Sequence, residues 1–356
     1  MREALFFERE ERQRVRCTLC PHLCKVAPGH RGACGVRINR DGRLYTLVGD
    51  RTIAQEIDPI EKKPLFHFLP GSQAYSIATV GCNLRCLFCV NWEISQSPKG
   101  QPAETGDFAC LPLAEQPPDM ETSQLTSPDA VVAKALANRC ASVAYTYTEP
   151  TIFFELALET AKAAKAAGLK NLFVTNGFIM PDALRMIAPY LDAANIDLKS
   201  FRDSYYRRVC GAALQPILEA IRLYKQLGVW IELTTLLIPG RNDAAQELRD
   251  LAGFIKADLG EDVPWHLSRF FPTYKMADVP STPLETLRAA RQIGLEAGLK
   301  FVYLGNVSEE GGEDTSCPNC RAVVIRRAGL TLVENRLKDS ACPACRQPLA
   351  GVWRGR

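Results

Sequence analysis

The pattern of hydrophobic and polar positions changes near residue 73. After that point, short β-branched runs that end in polar residues alternate with amphipathic stretches. The runs that predict strands are YSIATVG, SVAYTYTEP, NLFVTNG, AANIDLKS, VWIELTTLLIPG and PWHLSRFFP. The amphipathic stretches predict helices over residues 128–140, 152–167, 181–191, 214–227, 244–259 and 283–297. The alternation predicts an α/β fold, with a parallel sheet and helices outside it.

Six strand–helix units are too few for a closed eight-fold barrel. They favour a partial (β/α)6 barrel of the TIM type. A doubly wound sheet is the alternative, but the first predicted strand lacks the Gly-x-Gly-x-x-Gly turn of a dinucleotide site.

The pattern divides the chain into three predicted domains. Residues 1–72 form a cysteine-rich N-terminal module with a hairpin turn at Asn39–Gly42, and DPIEKKPLFHFLPG connects it to the next domain. Residues 73–308 form the core barrel, and residues 309–356 form a zinc-ribbon-like or rubredoxin-like module. The acidic stretch 100–128, without Lys or Arg, predicts an insertion that is either a disordered loop or a lid.

Composition indicates an ordinary globular protein, since 47% of the 356 residues are hydrophobic and 23% are charged. The N-terminus is too charged for a signal peptide, and no apolar run is long enough to cross a membrane. We therefore expect a cytoplasmic protein without membrane association. A net charge of +3 does not indicate a nucleic-acid partner, although the chain is basic after Cys317.

The 14 cysteines are many for a reducing compartment, where clustered thiols indicate metal ligands rather than disulfides. Cys110, Cys140 and Cys210 stand apart and are predicted to be small buried hydrophobic residues. The others form three groups: Cys17, Cys20, Cys24 and Cys34; Cys82, Cys86 and Cys89; and Cys317, Cys320, Cys342 and Cys345.

The middle group has only three cysteines, in the stretch GCNLRCLFCVNW directly after the first predicted strand. Three thiolates can bind three irons of a four-iron cluster and leave the fourth iron open, as a catalytic site requires. Because reactive groups of such barrels gather after the carboxyl ends of the strands, other polar residues are predicted at the same mouth. These residues are Glu149, Asn176, Asp197, Lys199 and His266.

Cys82-x3-Cys86-x2-Cys89, with the aromatic Phe88 before the last cysteine, resembles the radical S-adenosylmethionine (radical SAM) superfamily. The chain is more closely similar to the activating enzymes of glycyl-radical proteins such as pyruvate formate-lyase, and to the radical SAM proteins of AmmeMemoRadiSam systems. The segments that carry this likeness are CTLCPHLCKVAPGHRGACGVR, PIEKKPLFHFLPGS, VGCNLRCLFCVNWEISQ, YTYTEPTIFFE, NIDLKSF, LLIPGRND, WHLSRFFPTYKM and VYLGNV.

The resemblance implies a [4Fe–4S] cluster held by the three cysteines, with SAM chelating the open iron next to Phe88. It implies that Glu149 accepts a hydrogen bond from the SAM amino group, although Tyr147 and Thr148 replace the two glycines of the family's Gly-Gly-Glu motif. The remaining implied contacts to SAM are Asn176, Asp197, Lys199 and His266. For the histidine, a hydrogen-bonded core position is an equal alternative.

The two flanking cysteine groups predict further metal sites. The C-terminal group consists of two Cys-x2-Cys knuckles, which indicate structural zinc, with a single rubredoxin-type iron as the alternative. The N-terminal group is compatible with structural zinc or with an auxiliary iron–sulfur cluster. His22 and His30 lie in the same segment and are alternative ligands.

The function that these features predict is SAM cleavage by a low-potential cluster, followed by hydrogen abstraction from a protein glycine or a small molecule. Such an enzyme needs a low-potential electron donor of the flavodoxin or ferredoxin type. The alternative is a multi-zinc scaffold or a nucleic-acid-binding protein without catalysis, which would hold zinc rather than iron at the central cysteines. Neither the substrate nor the fate of SAM, consumed or regenerated, follows from the sequence.

Overall fold

The computed structural model describes residues 1–99 and 122–354. The N-terminal part is built from short strands, in two antiparallel three-stranded sheets of order β1-β6-β5 and β2-β3-β4, with β7 outside both. The strands are β1 Arg2–Glu3, β2 Phe7–Arg9, β3 Val15–Cys17, β4 Lys25–Val26, β5 Arg37–Arg40, β6 Arg43–Thr46 and β7 Arg51–Thr52. The predicted hairpin is confirmed between β5 and β6, where Asp41 and Gly42 have φ angles of 52° and 78°, as the turn requires.

The core is one eight-stranded sheet of order β16-β15-β14-β13-β12-β11-β9-β8. Every neighbouring pair in it is parallel except β8 with β9, and β10 lies outside it, antiparallel to β7. The strands are β8 Ala54–Pro59, β9 Gln73–Ala78, β10 Gln124–Leu125, β11 Ser142–Tyr145, β12 Lys170–Thr175, β13 Ala193–Asp197, β14 Trp230–Leu237, β15 Trp265–Arg269 and β16 Val302–Gly305. The predicted parallel α/β sheet is confirmed, and it is extended by β8 and β16 at its edges.

The six predicted helices are confirmed, and α1 and α5 are short additions. The helices are α1 Trp92–Gln96, α2 Pro128–Ala137, α3 Phe154–Ala166, α4 Pro181–Ile187, α5 Asp203–Tyr205, α6 Leu214–Gln226, α7 Ala245–Phe254 and α8 Leu284–Glu296. Ser127 caps α2 by accepting a hydrogen bond from the Ala130 N–H at 3.2 Å. None of the described helices is both long and apolar enough to span a membrane.

Residues 60–70 of the connector cover the face of the sheet opposite to the helices. Ile60, Leu65 and Phe68 are fully buried there against Ala144, Leu172 and other inward residues. The carboxylate of Glu232 on β14 accepts the N–H groups of Phe66 and His67 at 3.0 and 2.8 Å. A buried carboxylate therefore holds a segment that has little regular structure of its own.

The C-terminal module is a three-stranded antiparallel sheet of β17 Thr315–Ser316, β18 Val323–Ala328 and β19 Thr331–Asn335. It docks on the connector through two backbone hydrogen bonds of 2.7 Å, from Leu69 N–H to the Val352 carbonyl and from Val352 N–H to the His67 carbonyl. Arg327 adds a bond of 2.7 Å to the Phe66 carbonyl.

The predicted domain boundaries at residues 72 and 308 stay predictions. The first falls between β8 and β9, which pair with each other, so the core sheet continues across it. Most of the predicted insertion at 100–128 lies outside the described residues. Within its described part, β10 pairs with β7 of the N-terminal module.

A buried ion pair fixes the N-terminal module to the core. Arg37 on β5 donates to Glu155 on α3 at 2.5 Å, and both side chains are almost fully buried. Glu155 also accepts the Leu5 N–H at 2.7 Å, and Arg37 donates to the Leu5 carbonyl at 2.8 Å. Each charge is thus compensated in a place that water does not reach.

We expect Arg37→Ala to lower the free energy of unfolding by about 3–5 kcal/mol, because it leaves the buried Glu155 without a cationic partner. Chemical denaturation of the metal-loaded protein measures this loss. The matched control is Arg2→Ala, which breaks the exposed pair with Glu159 and should cost less than about 1 kcal/mol. Equal losses for the two variants would contradict this role of the buried pair.

Candidate functional site

The loop after β9, residues 79–91, carries the three central cysteines and has no strand or helix of its own. Its backbone is held from elsewhere in the chain. The Arg85 N–H donates to the Cys210 carbonyl at 2.7 Å, and the Leu87 N–H donates to the Val209 carbonyl at 3.0 Å. The Gly81 N–H donates to the Ile94 carbonyl at 2.9 Å. The loop therefore has a fixed shape although it is irregular.

The three thiols lie in a largely buried and polar environment. Cys82 Sγ accepts the Leu84 N–H at 3.4 Å and lies 3.8 Å from the Asn176 side-chain amide, which donates to it. Cys89 Sγ lies 3.2 Å from the Ser95 hydroxyl. Burial raises the pKa of Cys82 to about 12, and the charge of Lys99 partly offsets this effect. As metal ligands, such thiols would be deprotonated by the ion itself.

Cys86 has a second thiol beside it. The neighbouring Cys210 thiol raises the pKa of Cys86 well above its ordinary value, and burial acts in the same direction. Cys210 is fully buried and ends a π-helical turn, residues 206–210. The sequence indicated only a small buried hydrophobic residue there, and its isolated position gave no signal for contact with the cysteine loop.

Asp197 and Lys199 form an ion pair of 2.8 Å at the end of β13. The Lys199 ammonium lies 5.7 Å from the centre of the Phe88 ring. Burial would lower the pKa of Lys199, but Asp197 and the thiols of Cys86 and Cys210 raise it well above its ordinary value. The structure thus brings this predicted pair to the cysteine loop, with the Lys199 ammonium near Phe88.

Glu149 and Asn176 join the ends of β11 and β12. Glu149 is buried, and its Oε1 accepts the Thr151 N–H, the Thr151 hydroxyl and the Thr175 hydroxyl at 3.0, 2.6 and 2.8 Å. Among the described residues, its Oε2 accepts only the Asn176 N–H, at 2.8 Å. The carboxylate therefore positions Asn176 next to the cysteine loop, and burial raises the pKa of Glu149.

Tyr147 retains the backbone conformation that a glycine would adopt. Its φ angle is 63°, in the left-handed region that bulky side chains rarely occupy. Its carbonyl accepts a hydrogen bond of 2.7 Å from the Asn91 side chain, and so ties the end of β11 to the cysteine loop. Tyr147 thus places a bulky side chain where the family's motif has a glycine, in a backbone conformation that glycine adopts readily.

The contacts of His266 favour the core alternative. Its Nε2 lies 2.7 Å from Glu232 Oε2, and its ring packs against Phe66 and Tyr303 with centroid separations of 4.8 and 5.2 Å. Phe66 belongs to the connector, and Glu232 and Tyr303 belong to the strands that the connector covers. The hydrogen bond from His266 outweighs the effect of burial and holds the pKa of Glu232 below its ordinary value. The prediction that His266 faces an adenosyl group receives no support from these contacts.

Two further residues shape the loop without having been predicted. Asn83 donates to the Phe178 carbonyl at 2.7 Å and accepts from the Asn176 side chain at 2.9 Å. Lys99 is buried and donates to the Leu84 carbonyl and to Gln96. Burial lowers the pKa of Lys99 to about 8. From sequence alone, an asparagine and a lysine in irregular segments are expected to be exposed. Their contacts with the cysteine loop become apparent only in the folded structure.

Comparison with known proteins bears on the same region. The model of the Radical SAM superfamily matches residues 76–252, a stretch that includes the cysteine loop, Glu149, Asn176 and Lys199. The chain belongs to the radical SAM superfamily. An uncharacterized protein of Methanocaldococcus jannaschii is 43% identical over 327 residues, which are 92% of this chain and 92% of that protein.

Solved structures similar to this radical SAM protein include a radical SAM methyltransferase from Sphaerobacter thermophilus. It is 16% identical with a TM-score of 0.48, and the match covers 67% of this chain and 68% of that one. A domain of pyruvate-formate lyase-activating enzyme from Bacteroides vulgatus is 19% identical with a TM-score of 0.41. That match covers 47% of this chain and 99% of that one.

The C-terminal cysteines of this radical SAM protein form a compact tetrathiolate site. The sulfurs of Cys317 and Cys345 are 3.5 Å apart, and those of Cys320 and Cys342 are 3.6 Å apart. All four sulfurs lie within 4.8 Å of one another. A tetrahedral ion with bonds of about 2.3 Å requires sulfurs about 3.8 Å apart, so the site fits one metal ion.

The N-terminal cysteines are buried together below the cysteine loop, at 5–9% exposure. Among the described residues, only the C-terminal group brings three or more candidate metal-binding atoms within 4.8 Å of one another. The N-terminal and central groups are therefore both more widely spaced than the C-terminal one. His22 Nε2 donates to the Asn83 carbonyl at 2.7 Å, so this nitrogen is not a metal ligand.

We expect Cys342→Ser to remove one metal ion per chain, since it breaks a site whose four sulfurs surround a single position. Elemental analysis of the anaerobically purified protein measures the loss. Cys140→Ser is the control, because Cys140 is a buried cysteine outside the three groups. An unchanged metal content in the Cys342 variant would contradict the tetrathiolate site.

Proposed function

We propose that the protein is a SAM-cleaving enzyme in which Cys82, Cys86 and Cys89 hold a [4Fe–4S] cluster and SAM occupies the open iron. When bound, the cluster supplies one electron that cleaves the sulfonium, and the 5′-deoxyadenosyl radical so released takes a hydrogen atom from a substrate. The observation that carries this proposal is the arrangement of three thiols and the Lys199–Asp197 ion pair at one end of the parallel sheet.

The spacing of the three thiols supports a cluster rather than a single ion. They do not approach one another as the C-terminal sulfurs do. In a four-iron cluster each thiolate binds a different iron, which requires wider spacing than four thiolates around one zinc. The neighbouring Cys210 thiol raises the pKa of Cys86, and we assign Cys210 to this contact rather than to the fourth iron.

Polar groups beside the loop suit the two ends of SAM. Lys199 offers a buried positive charge for the methionine carboxylate, and Asp197, about one-third exposed, offers an acceptor for ribose hydroxyls. Glu149 Oε2 accepts a single hydrogen bond from the part of the chain that the structure describes, and it has capacity for another, as the SAM amino group would need. The predicted contact of His266 with SAM stays a prediction, which its bond to Glu232 does not favour.

The connector covers the inner face of the sheet at the amino ends of the strands, where it packs against Ala74, Ala144 and Ala193, and so limits access of water from that side. Buried Phe66, Phe68 and Leu69 lie there, and the C-terminal module packs against the connector from outside. A dry interior limits quenching of a reactive intermediate. The stability of this layer is thus part of the proposed mechanism.

The finer assignments follow from the sequence resemblance. We propose a low-potential donor of the flavodoxin or ferredoxin type, a cytoplasmic location, and zinc in the C-terminal site. The substrate is either a protein residue, as for a glycyl-radical activating enzyme, or a small molecule, and membership of an AmmeMemoRadiSam system is part of the same proposal. The multi-zinc or nucleic-acid-binding alternative is less favoured, since it does not explain the match of residues 76–252 to the Radical SAM superfamily.

We expect the anaerobically reconstituted protein to form 5′-deoxyadenosine from SAM after reduction, and Cys86→Ala to abolish it. The physical reason is that two thiolates cannot retain the cluster with a single open iron. Chromatographic detection of 5′-deoxyadenosine measures the reaction. Cys210→Ala is the matched control, because its thiol lies beside Cys86 but is not assigned as a ligand; it should keep both iron and cleavage.

Two results would contradict the proposal. One is zinc, instead of iron, at the central cysteines of the wild-type protein. The other is loss of the cluster in Cys210→Ala, which would make the site a closed four-thiolate site without room for SAM.

We expect Lys199→Met to weaken SAM binding by about 10- to 100-fold, since a charge-assisted hydrogen bond contributes about 1.5–3 kcal/mol. Equilibrium dialysis on the cluster-loaded protein measures the affinity. Lys165→Met is the control, because Lys165 is an exposed lysine that bonds only to the Pro189 carbonyl among the described residues. Unchanged affinity in Lys199→Met would remove Lys199 from the binding site.

A further inference from the structure

The N-terminal cysteines form a second sulfur-rich pocket that the proposed reaction does not use. Cys17 ends β3, Cys20 and Cys24 lie in the turn that follows, and Cys34 precedes β5. All four side chains are buried. A buried set of four thiols from one module needs a ligand or a packing role.

The spacing of these sulfurs argues against zinc. The same chain shows what a single-ion site looks like, with C-terminal sulfurs 3.5 and 3.6 Å apart and all four within 4.8 Å. No three of the N-terminal thiols, all of which the structure describes, meet that limit. Cluster thiolates bind different irons, so they stay farther apart than ligands of one ion.

We propose that Cys17, Cys20, Cys24 and Cys34 hold an iron–sulfur cluster that passes electrons to the cluster at Cys82, Cys86 and Cys89. This electron relay between the two clusters rests on the proposed function. The presence of a cluster at the N-terminal cysteines does not. In each turnover the N-terminal cluster accepts one electron from the low-potential protein donor and is reoxidised when that electron moves to the central cluster. No bond is made or broken in this step.

The surroundings of the pocket suit a negatively charged cluster. The Arg37 guanidinium, 1% exposed, has Nη1 4.0 Å from Cys17 Sγ. The Ala33 N–H donates to Cys24 Sγ at 3.4 Å. Hydrogen bonds to the sulfurs and a nearby cation suit the negative charge that thiolate-bound iron clusters carry.

The pocket lies directly against the cysteine loop. A side-chain carbon added to Gly81 would stand 2.9 Å from the Cys34 carbonyl oxygen, so the two backbones are in contact there. Gly81 immediately precedes Cys82. The donated bond from His22 to the Asn83 carbonyl makes a second contact between the two segments. The segments that carry the two sets of thiols are therefore in direct contact, with Cys34 against the residue that precedes Cys82.

The first test uses the Cys82→Ala/Cys86→Ala/Cys89→Ala variant, which leaves the N-terminal module unchanged. After anaerobic reconstitution and dithionite reduction, we expect iron with matching inorganic sulfide and a paramagnetic signal from the remaining cluster. Zinc bound at two sites per chain, with neither iron nor sulfide, would overturn the inference. That result would leave the proposed function intact, since 5′-deoxyadenosine formation is measured on the wild-type protein.

The second test addresses the relay through Cys20→Ser. We expect loss of SAM cleavage driven by reduced flavodoxin, while cleavage driven by dithionite and the signal of the central cluster persist. Cys140→Ser is the control and should resemble the wild type with both reductants. Equal rates of flavodoxin-driven cleavage in Cys20→Ser and the wild type would overturn the relay, and loss of dithionite-driven cleavage as well would do the same.

Discussion

The shape of the cysteine loop depends on hydrogen bonds from segments far along the chain. The loop has no ladder or helix of its own, so each backbone group needs a partner elsewhere. Carbonyls of Val209 and Cys210 accept from Leu87 and Arg85, and Asn83 bridges to the loop after β12. The three thiols can therefore keep one arrangement only when the whole parallel sheet is assembled.

The periodicity of the sequence was sufficient for the core of the fold. Strand and helix patterns identified the central strands and six helices. Buried parallel strands are recognisable because they are short β-branched runs that alternate with longer amphipathic stretches. The four-residue β16 was missed, since so short a run cannot be distinguished from a loop. The edge strand β8 was missed because it ends at Pro59, and because its last two residues were read as the start of the connector.

The site was predicted as far as spacing and strand ends allow. Asp197, Lys199 and Asn176 lie beside the cysteine loop, because carboxyl ends of parallel strands meet at one edge. His266 bonds to Glu232. The sequence did not predict this bond, because a single sequence does not tell how deep in the sheet a strand side chain lies. The contact of Cys210 with Cys86 depends on a π-helical turn that no local pattern indicates.

Three cysteine groups in one chain differ in how closely the fold lets their sulfurs approach. In the C-terminal group, two knuckles with the same backbone bonds draw four sulfurs around one point. The other two groups are wider, and they lie against each other through Gly81 and Cys34. This difference in spacing is the reason why we propose one structural ion at the C-terminal group and iron–sulfur clusters at the two wider groups.

The central claim is that one iron of the central cluster is left open for SAM. Mössbauer spectroscopy of the ⁵⁷Fe-loaded protein, recorded with and without SAM, tests it most directly. The account predicts that a single iron site per chain changes its isomer shift when SAM is added. Spectra that do not respond to SAM, with every iron ligated by protein sulfur, would contradict it.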